Sequence, residues 1–400
     1  MGMRRKTIWF LTLATILCTA IGSAAGQEPT PTEDDQVTII VPKLAGTAET
    51  PTSTPGEIQP TATATLRAPI REIVQFEPYQ IPTDVNPLTG LRTDPAILDR
   101  RPLVIKVSNA PASVRPQAGL GSADVVIEHI VESGLTRLSA VFYGETPERV
   151  GSVRSARLID TDIVRMYDAL LAYSGGSQGV RDDIYWYIPY RRIFLDGATT
   201  EFVRDWDVAA PHNLYALPAE IWEGAERLGE RARPEDIHGN AFRTLPPAGA
   251  QESASRVEVK HVSLIAEWFY DAELRQYLRF TDGEMHLDAL SGQPLAVENV
   301  LVVYAYHELT DIVEDVWNEQ VSYGHRISLL QSGDLLLFRD GQVYRGRWSR
   351  PSASEQLRFY DGENLPLYLK PGSSWIHIVR LLQQMRSDAE WVRWDDEGLQ

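Results

Sequence analysis

The sequence predicts a mixed fold, an α/β (α+β) N-terminal domain followed by a mostly β C-terminal domain. In residues 76–250, short apolar runs alternate with patterns of helical spacing, which is typical of α/β units. In residues 256–390, strand patterns follow one another closely and are separated by Asp-Gly and Pro-Gly turns. The roughly 310 residues that follow Asn86 exceed the usual size of one domain, so we expect two.

Residues 1–26 have the composition of a secretory signal peptide. Three basic residues at positions 4–6 precede an apolar run that ends near Ile21, and small residues follow it. This order predicts export, with cleavage after Ala25 or Gly26. The alternative is an uncleaved membrane anchor, because the run approaches the length that crosses a bilayer.

Cys18 lies inside this segment and is the only cysteine of the chain. The folded part is therefore expected to contain no disulfide and no thiolate ligand. A lipid-attachment site needs a small residue before the cysteine, and Leu17 stands there instead. The sequence leaves lipidation of Cys18 open, and we expect membrane contact only through this N-terminal segment.

Residues 27–75 are rich in proline and threonine and contain no aromatic side chain. Such a segment cannot bury enough apolar surface to offset the entropy of the ordered chain. We expect a disordered, extended linker that separates the N-terminal segment from the folded domains.

The N-terminal domain is predicted to contain four strands and two helices. Apolar runs of strand length alternate with one stretch of helical spacing. Pro218 suits the first turn of a second helix, where its missing amide hydrogen is not needed. The predicted strands are Leu103–Val107, Val125–Val131, Arg137–Tyr143 and Ala169–Tyr173, and the predicted helices are Ala156–Tyr167 and one that starts at Pro218.

The C-terminal domain is predicted from strand and turn signals. Asp340-Gly341 is a two-residue hairpin signal between two apolar runs. Asp361-Gly362 and Pro371-Gly372 mark two further turns. The predicted strands are Val257–Phe269, Val300–His307, Leu335–Phe338, Val343–Trp348, Leu365–Leu369 and Trp375–Val379.

The charge of the chain excludes one class of partner. Its formal net charge is −17, and the signal segment carries only basic residues, so the remainder is more negative still. Nucleic-acid binding needs a basic face, which argues against such a partner. None of the eight histidines forms a paired metal motif such as H-E-x-x-H, and we expect neither a metal nor a cofactor.

The segment Gly151–Arg157 is the best candidate for a binding site. It places Arg154, Ser155 and Arg157 directly before a predicted helix, and Arg137 lies at the start of a predicted strand. Arginine carries a permanent planar charge that matches carboxylate or phosphate, and the first amides of a helix also favour anions. These residues therefore predict an anion site.

The alternative interpretation is that the three arginines are structural. Glu128, Glu132 and Asp160 are available as partners in the same domain. Paired arginines would form a buried network that stabilises the fold and leaves no charge for a ligand.

The stretch from Ser174 to Gly179 is rich in glycine and contains the pattern G-x-S-x-G around Ser177. This spacing is found in nucleophile elbows, where a serine hydroxyl is exposed on a tight turn between a strand and a helix. His212 follows too soon for the usual order of such enzymes. A glycine-rich turn without catalysis is the simpler interpretation.

Two further features complete the candidate residues. His212 and Asn213 lie in a loop before the helix at Pro218, where a histidine can act as a base or bind a sugar, or merely bond to the backbone. Residues Asp183–Tyr190 hold a dense group of aromatic side chains. They predict either rings that stack on sugars or a partner, or the edge of a buried strand.

Several sequence blocks form a recognisable set. They are Asn86–Leu91, Arg115–Gln117, Glu132–Arg137, Val150–Arg157, Ala210–Tyr215, Phe338–Gly341, Gly346–Trp348 and Leu369–Trp375. Together they resemble the YerB-like family of bacterial cell-envelope proteins. The resemblance covers most of residues 86–380 and implies an extracytoplasmic protein, typically described as a lipoprotein, with two domains of unknown function. It carries over no catalytic residues, and Leu17-Cys18 departs from the lipoprotein pattern.

Two classes of function remain at this point. We expect a binding module for an anionic or glycan component of the envelope, or for a partner protein. The alternative is a hydrolase or transferase that acts on envelope material, with Ser177 or His212 in its site. No paired carboxylates and no nucleophile–base pair occur at a useful spacing, which favours binding.

Overall fold

The computed structural model describes residues 75–76, 81–197, 200–235, 237–247 and 252–398. The predicted signal peptide, Cys18 and almost all of the predicted linker lie outside the described residues. The first described strand, at Gln75–Phe76, pairs with a strand at Phe242–Arg243.

The two halves of the chain differ as the sequence predicts, because the longer helices all occur in the first half. This half contains β1 (Gln75–Phe76), α1 (Pro95–Leu98), β2 (Leu103–Ser108), β3 (Val125–Ile130), β4 (Thr136–Phe142), β5 (Val150–Gly151), α2 (Leu158–Tyr167), β6 (Leu170–Tyr173), α3 (Gln178–Tyr187), β7 (Ile193–Leu195), β8 (Phe202–Arg204), β9 (Leu214–Ala216), α4 (Pro218–Leu228) and β10 (Phe242–Arg243).

The second half consists almost entirely of strands. They are β11 (Glu252–Ser253), β12 (Arg256–His261), β13 (Leu264–Asp271), β14 (Gln276–Thr281), β15 (Glu284–Met285), β16 (Ala296–Val297), β17 (Asn299–Trp317), β18 (Gln320–Ser328), β19 (Gln331–Arg339), β20 (Gln342–Arg350), β21 (Arg358–Tyr360), β22 (Ser374–Arg380) and β23 (Trp391–Asp395).

One 12-stranded sheet runs through both halves in the order β11-β20-β19-β17-β22-β3-β4-β2-β6-β7. β18 and β21 complete it by pairing with β17 and β20. The halves meet where β22 pairs in parallel with β3, with Ser374 opposite Val125 and Ile378 opposite His129. β22 also pairs in parallel with β17, so this late strand is central in the sheet.

Both faces of this sheet are covered, which explains why its strands are apolar on both sides. Val104 and Ile127 pack in one core with α2 and α3. Leu103 and Ile105 pack in the other core, which also contains residues of α4 and of a six-stranded sheet, β15-β14-β13-β12-β23 with β16. The alternation along β2 therefore serves two separate cores.

The predicted fold class is confirmed, two local predictions are wrong, and one of the two alternatives for the aromatic stretch is excluded. The range Val257–Phe269 is a hairpin of β12 and β13 rather than one strand. Leu365–Leu369 makes only isolated bridges. The aromatic stretch Asp183–Tyr190 is not a strand edge, because most of it belongs to α3, where Trp186 is 82% exposed.

Candidate anion-binding site

The candidate residues gather at the carboxyl edge of the parallel strands. Strands β2, β3, β6, β7, β17 and β22 all point in one direction, so the loops that follow them meet at one edge of the sheet. Ligands of open α/β sheets usually bind at this edge. The sequence could not predict this convergence, because strand order is set by tertiary pairing.

The segment around Arg154 lies between the ends of β2 and β6. The Arg154 amide donates to the carbonyl of Lys106 at 2.9 Å, and the Ser174 amide donates to the carbonyl of Arg154 at 3.0 Å. A Cβ atom on Gly175 would lie 4.0 Å from the Ser155 hydroxyl. The backbone thus brings the arginine segment beside the glycine-rich turn.

A buried polar network holds this segment in place. The Lys106 ammonium, fully buried, donates to Asp160 and to Ser139 at 2.9 Å each, and lies 2.5 Å from His129 Nε2. Burial lowers the pKa of Lys106 to about 8, although Asp160 offsets part of the effect. The other oxygen of Asp160 accepts from the Arg157 amide at 2.6 Å, which fixes the start of α2.

Arg137 and Arg157 share a single carboxylate. Arg157 donates through Nε to Glu132 at 2.7 Å and through Nη2 to the same group, and Arg137 donates to it at 3.1 Å. Arg137 also donates to the Ser155 carbonyl at 2.6 Å. Burial opposes ionisation of Glu132, but the two arginines outweigh it and lower its pKa to about 2. Arg137 and Arg157 therefore form a structural network. Of the three carboxylates that the sequence offered as partners, only Glu132 pairs with their side chains.

Arg154 differs from both. Its side chain is half-buried, and its guanidinium has no hydrogen bond or ion pair with any residue that the structure describes. Burial lowers the pKa of Arg154, the charge of Arg157 lowers it further, and Glu132 only partly compensates. An unpaired, half-buried cation beside two like charges gains from a bound anion.

His212 and Asn213 lie beside the arginine segment, since the Val153 amide donates to the Leu214 carbonyl at 2.8 Å. Burial and then the charge of Arg154 lower the pKa of His212, and its Nδ1 atom is buried without a hydrogen-bond partner. Asn213 accepts from Arg204 at 3.0 Å. Arg204 in turn donates to Asp196 at 2.7 Å, which accepts weakly from the Ser174 hydroxyl at 3.4 Å.

Ser177 stands between β6 and α3, in the strand–turn–helix context that an elbow requires. However, its hydroxyl caps α3 by accepting from the Val180 amide at 3.4 Å. Within the described part of the chain, no hydrogen bond joins Ser177 to a histidine. The geometry is that of a helix cap rather than of a nucleophile with its base.

Glu314, from β17, is the site residue that the sequence did not reveal. Its side chain is 1% exposed, and a carboxylate oxygen lies 3.5 Å from Arg157 Nη1. Neither oxygen has a hydrogen-bond partner of normal geometry. Burial raises the pKa of Glu314, and Arg157 and Ser177 offset only part of this. No local pattern could have predicted this contact, because Glu314 lies in the other half of the chain.

One other cluster has the composition of a metal site. Single ligand atoms of Glu128, His261 and His377 lie within 4.8 Å of one another, and all three residues are buried. Glu128 already pairs with the buried Arg279 at 3.0 Å, and His377 Nε2 accepts from Trp268 at 3.0 Å. A metal ion would compete with this guanidinium, so the cluster fits a structural network between the two halves.

Two cavities of the described structure lie away from the arginine site. One has a volume of about 400 Å³ and is lined by Thr83, Pro95, Ala96, Asp99 and Arg233. A second, enclosed cavity of about 10 Å³ lies in the core between α2 and the sheet. Neither shares a lining residue with the arginine site.

Comparison with known proteins identifies the family. The family described as "Protein of unknown function (DUF3048) N-terminal domain" matches residues 88–231, and the corresponding C-terminal domain matches residues 256–376. "Putative lipoprotein YerB" of Bacillus subtilis (strain 168) is 33% identical over 297 residues, which is 73% of this chain and 85% of that protein. The chain belongs to the YerB family.

The YerB fold is also known from a solved structure. The crystal structure of the YerB protein from Bacillus subtilis matches with a TM-score of 0.62 and 28% identity, over 77% of this chain and 99% of that one. The predicted resemblance to YerB-like proteins is thus confirmed. Within the described residues, no helix has both the length and the apolar character needed to span a bilayer.

Proposed function

We propose that this YerB-family protein is an extracytoplasmic envelope protein that binds an anionic component of the envelope at the carboxyl edge of its sheet. The observation that carries this proposal is the unpaired guanidinium of Arg154, half-buried beside Arg157. The signal-like N-terminus and the name of the Bacillus relative, a lipoprotein, support the location.

The ligand class follows from the donors around Arg154. Arginine, the Ser155 hydroxyl and the first amides of α3 all donate hydrogen bonds, and they suit phosphate or carboxylate oxygens. His212 adds a ring nitrogen without a partner, which can accept or donate according to its tautomer. The chain is acidic overall, so this local basic surface would select for a ligand by contact rather than by long-range attraction.

The test is calorimetric titration of the full-length protein with three probes: an oligomer of glycerol phosphate, a glucuronate-bearing oligosaccharide and a neutral N-acetylglucosamine oligomer. We expect at least one anionic probe to bind more tightly than the neutral one. Arg154→Ala should weaken that binding about ten- to hundredfold, since a charged hydrogen bond contributes about 1.5–3 kcal/mol. Its melting temperature should be unchanged.

Two variants serve as controls. Arg191→Ala removes an exposed arginine outside the site and should leave binding intact. Arg157→Ala should instead lower stability by about 3–5 kcal/mol, because it breaks a buried pair. Equal affinity of Arg154→Ala and the parent protein would contradict the proposal. Turnover of a probe that Ser177→Ala abolishes would favour the hydrolase alternative instead.

A further inference from the structure

The hairpin formed by the end of β17 and by β18 projects beyond the sheet. β17 pairs with β22 only as far as Ala305, and from Tyr306 to Trp317 it pairs with β18 alone. We call residues 306–328 the arm. In the described structure, the arm is a two-stranded ribbon whose outer edges have no strand partner.

One face of the arm, the inner face, rests on the first half of the chain. Ser322 contacts Ser133 at 3.3 Å between hydroxyl oxygens, and Arg326 pairs with Asp183 at 3.3 Å. A Cβ atom on Gly179 would lie 2.8 Å from Ile312, so α3 and the arm are in close contact. The same face delivers Glu314 to Arg157.

The opposite face, the outer face, is apolar and exposed. Tyr323 lies directly opposite Val313, and Val321 lies opposite Val316. Since residues 321 and 323 point to the same side of β18, and Ser322 points to the inner face, both pairs belong to the outer face. Leu309 lies opposite the half-buried His325 at the base of this face, before Ile327 enters the core. The exposed fractions are 62% for Leu309, 44% for Val313, 59% for Val316, 43% for Val321 and 40% for Tyr323.

The charge of the arm is strongly negative. It contains five carboxylates and one arginine, and that arginine is already paired with Asp183. Four of the carboxylates are exposed: Glu308, Asp311, Asp315 and Glu319. An apolar face within an acidic rim is typical of a surface that excludes acidic partners and selects basic ones.

We propose that the outer face of the arm is a docking surface for a partner protein whose contacting segment is both basic and apolar. The charge of the rim complements such a segment, and the apolar pairs provide area that leaves water on binding. The unpaired edges of the ribbon allow the segment to add as a further strand.

Two other occupants are disfavoured by the same charges. A second copy of this chain would place the arm against the arm in a two-fold interface, so that acidic rims face each other. An anionic lipid surface would be repelled by the four exposed carboxylates. This proposal does not rest on the anion site, because none of the residues that form the outer face belongs to that site.

The test uses the full-length protein and a short fluorescent peptide in which lysine alternates with valine and tyrosine. We expect saturable binding by fluorescence anisotropy that weakens as salt rises, and no binding of the same peptide with glutamate in place of lysine. The double variant Val316→Thr/Val321→Thr should bind at least tenfold more weakly. Threonine keeps the β-branched shape, so the ribbon should remain folded.

Matched variants control for general effects. Val203→Thr changes a valine of similar exposure on β8 and should leave peptide binding unchanged. Asp311→Asn/Glu319→Gln should weaken binding, whereas Glu223→Gln, an exposed acid on α4, should not. The Thr variants should retain the affinity of the parent protein for the anionic probes. A photo-reactive version of the peptide should label residues 306–328.

Three outcomes would overturn the proposal. The first is peptide binding that the arm variants do not change, or labelling outside the arm. The second is a dimer, detected by light scattering, that Val316→Thr/Val321→Thr abolishes, which would assign the face to a second copy. The third is binding to phosphatidylglycerol vesicles that depends on the outer face, which would assign it to lipid.

Discussion

Glu132 is the residue on which the two buried arginines depend, and its titration should be visible in the stability of the protein. Its folded-state pKa is about 2, whereas an unfolded glutamate titrates near about 4.3. The ion pairs are therefore fully stabilising above about pH 4.3, and their contribution is lost as the pH falls from there towards 2.

We predict that Glu132→Gln lowers the free energy of unfolding at neutral pH by about 3 kcal/mol and flattens its pH dependence between about pH 4.3 and 2. Urea unfolding at a series of pH values measures both effects. Glu226→Gln is the control, because Glu226 pairs with Arg231 at an exposed position and should matter by less than about 1 kcal/mol. An unchanged acid profile in Glu132→Gln would refute the assignment.

The arginines also show how far single residues can be predicted. The sequence grouped Arg137, Arg154 and Arg157, and each of its two interpretations, an anion site or a structural network, applied to all three alike. The structure separates them, since Glu132 pairs with two of them and the third has no ion pair within the described residues. Residue type and spacing cannot make this distinction, because it depends on which carboxylate the fold brings within hydrogen-bond distance.

At the scale of elements, the contact between α3 and the arm depends on the absence of a side chain at Gly179. A Cβ atom there would lie 2.8 Å from Ile312, which is closer than real Cβ contacts. We predict that Gly179→Ala destabilises the protein by about 1–3 kcal/mol, although alanine favours a helix by roughly 1 kcal/mol. Urea unfolding and hydrogen exchange of residues 306–328 measure the effect.

Gly176→Ala provides the comparison. A Cβ atom on Gly176 would lie 3.5 Å from Val180 Cγ1, which is an ordinary contact. The backbone of Gly176 is not in the left-handed conformation. Gly176→Ala should therefore leave the free energy of unfolding nearly unchanged. If Gly179→Ala proved as stable as the parent protein with unchanged exchange in the arm, α3 would not be packed against it as described.

Sequence patterns missed the elements whose surroundings in the fold are not those that their composition favours. α3 carries Tyr185, Trp186 and Tyr187, which favour strands, and yet they lie exposed on a helix. β17 was predicted to end at His307, where continuous apolar residues stop. It continues to Trp317 because β18 supplies a partner for an alternating, charged segment.

For the whole molecule, the shared sheet predicts that the two halves do not separate. β3 and β22 pair over five residues, and Glu128 binds Arg279 and Trp375 from the other half. We predict that cleavage at a protease site placed between residues 247 and 252 yields two fragments that remain together on gel filtration. Urea should separate them in one cooperative transition. Elution of separate fragments without denaturant would contradict this.

The sequence correctly predicted the secondary-structure content of the two halves. It could not predict that strands of both halves belong to one sheet. Strand order depends on pairings between distant segments, and nothing local in Ser374–Arg380 specifies β3 as its neighbour. Both strands are apolar on both faces, which indicates that they are buried. This pattern is common to all buried strands and does not identify the neighbour of either one.

The central position of β22 has a consequence for the order in which the protein can fold. A ribosome, and any export channel that passes the chain from its N-terminus, delivers residues 374–380 after both β3 and β17. Until then one edge of β3 and one edge of β17 lack the neighbour with which they pair over five and seven residues, respectively. Such edges readily pair with other chains. We therefore expect the newly made protein to be most prone to aggregation in the interval before β22 closes the sheet.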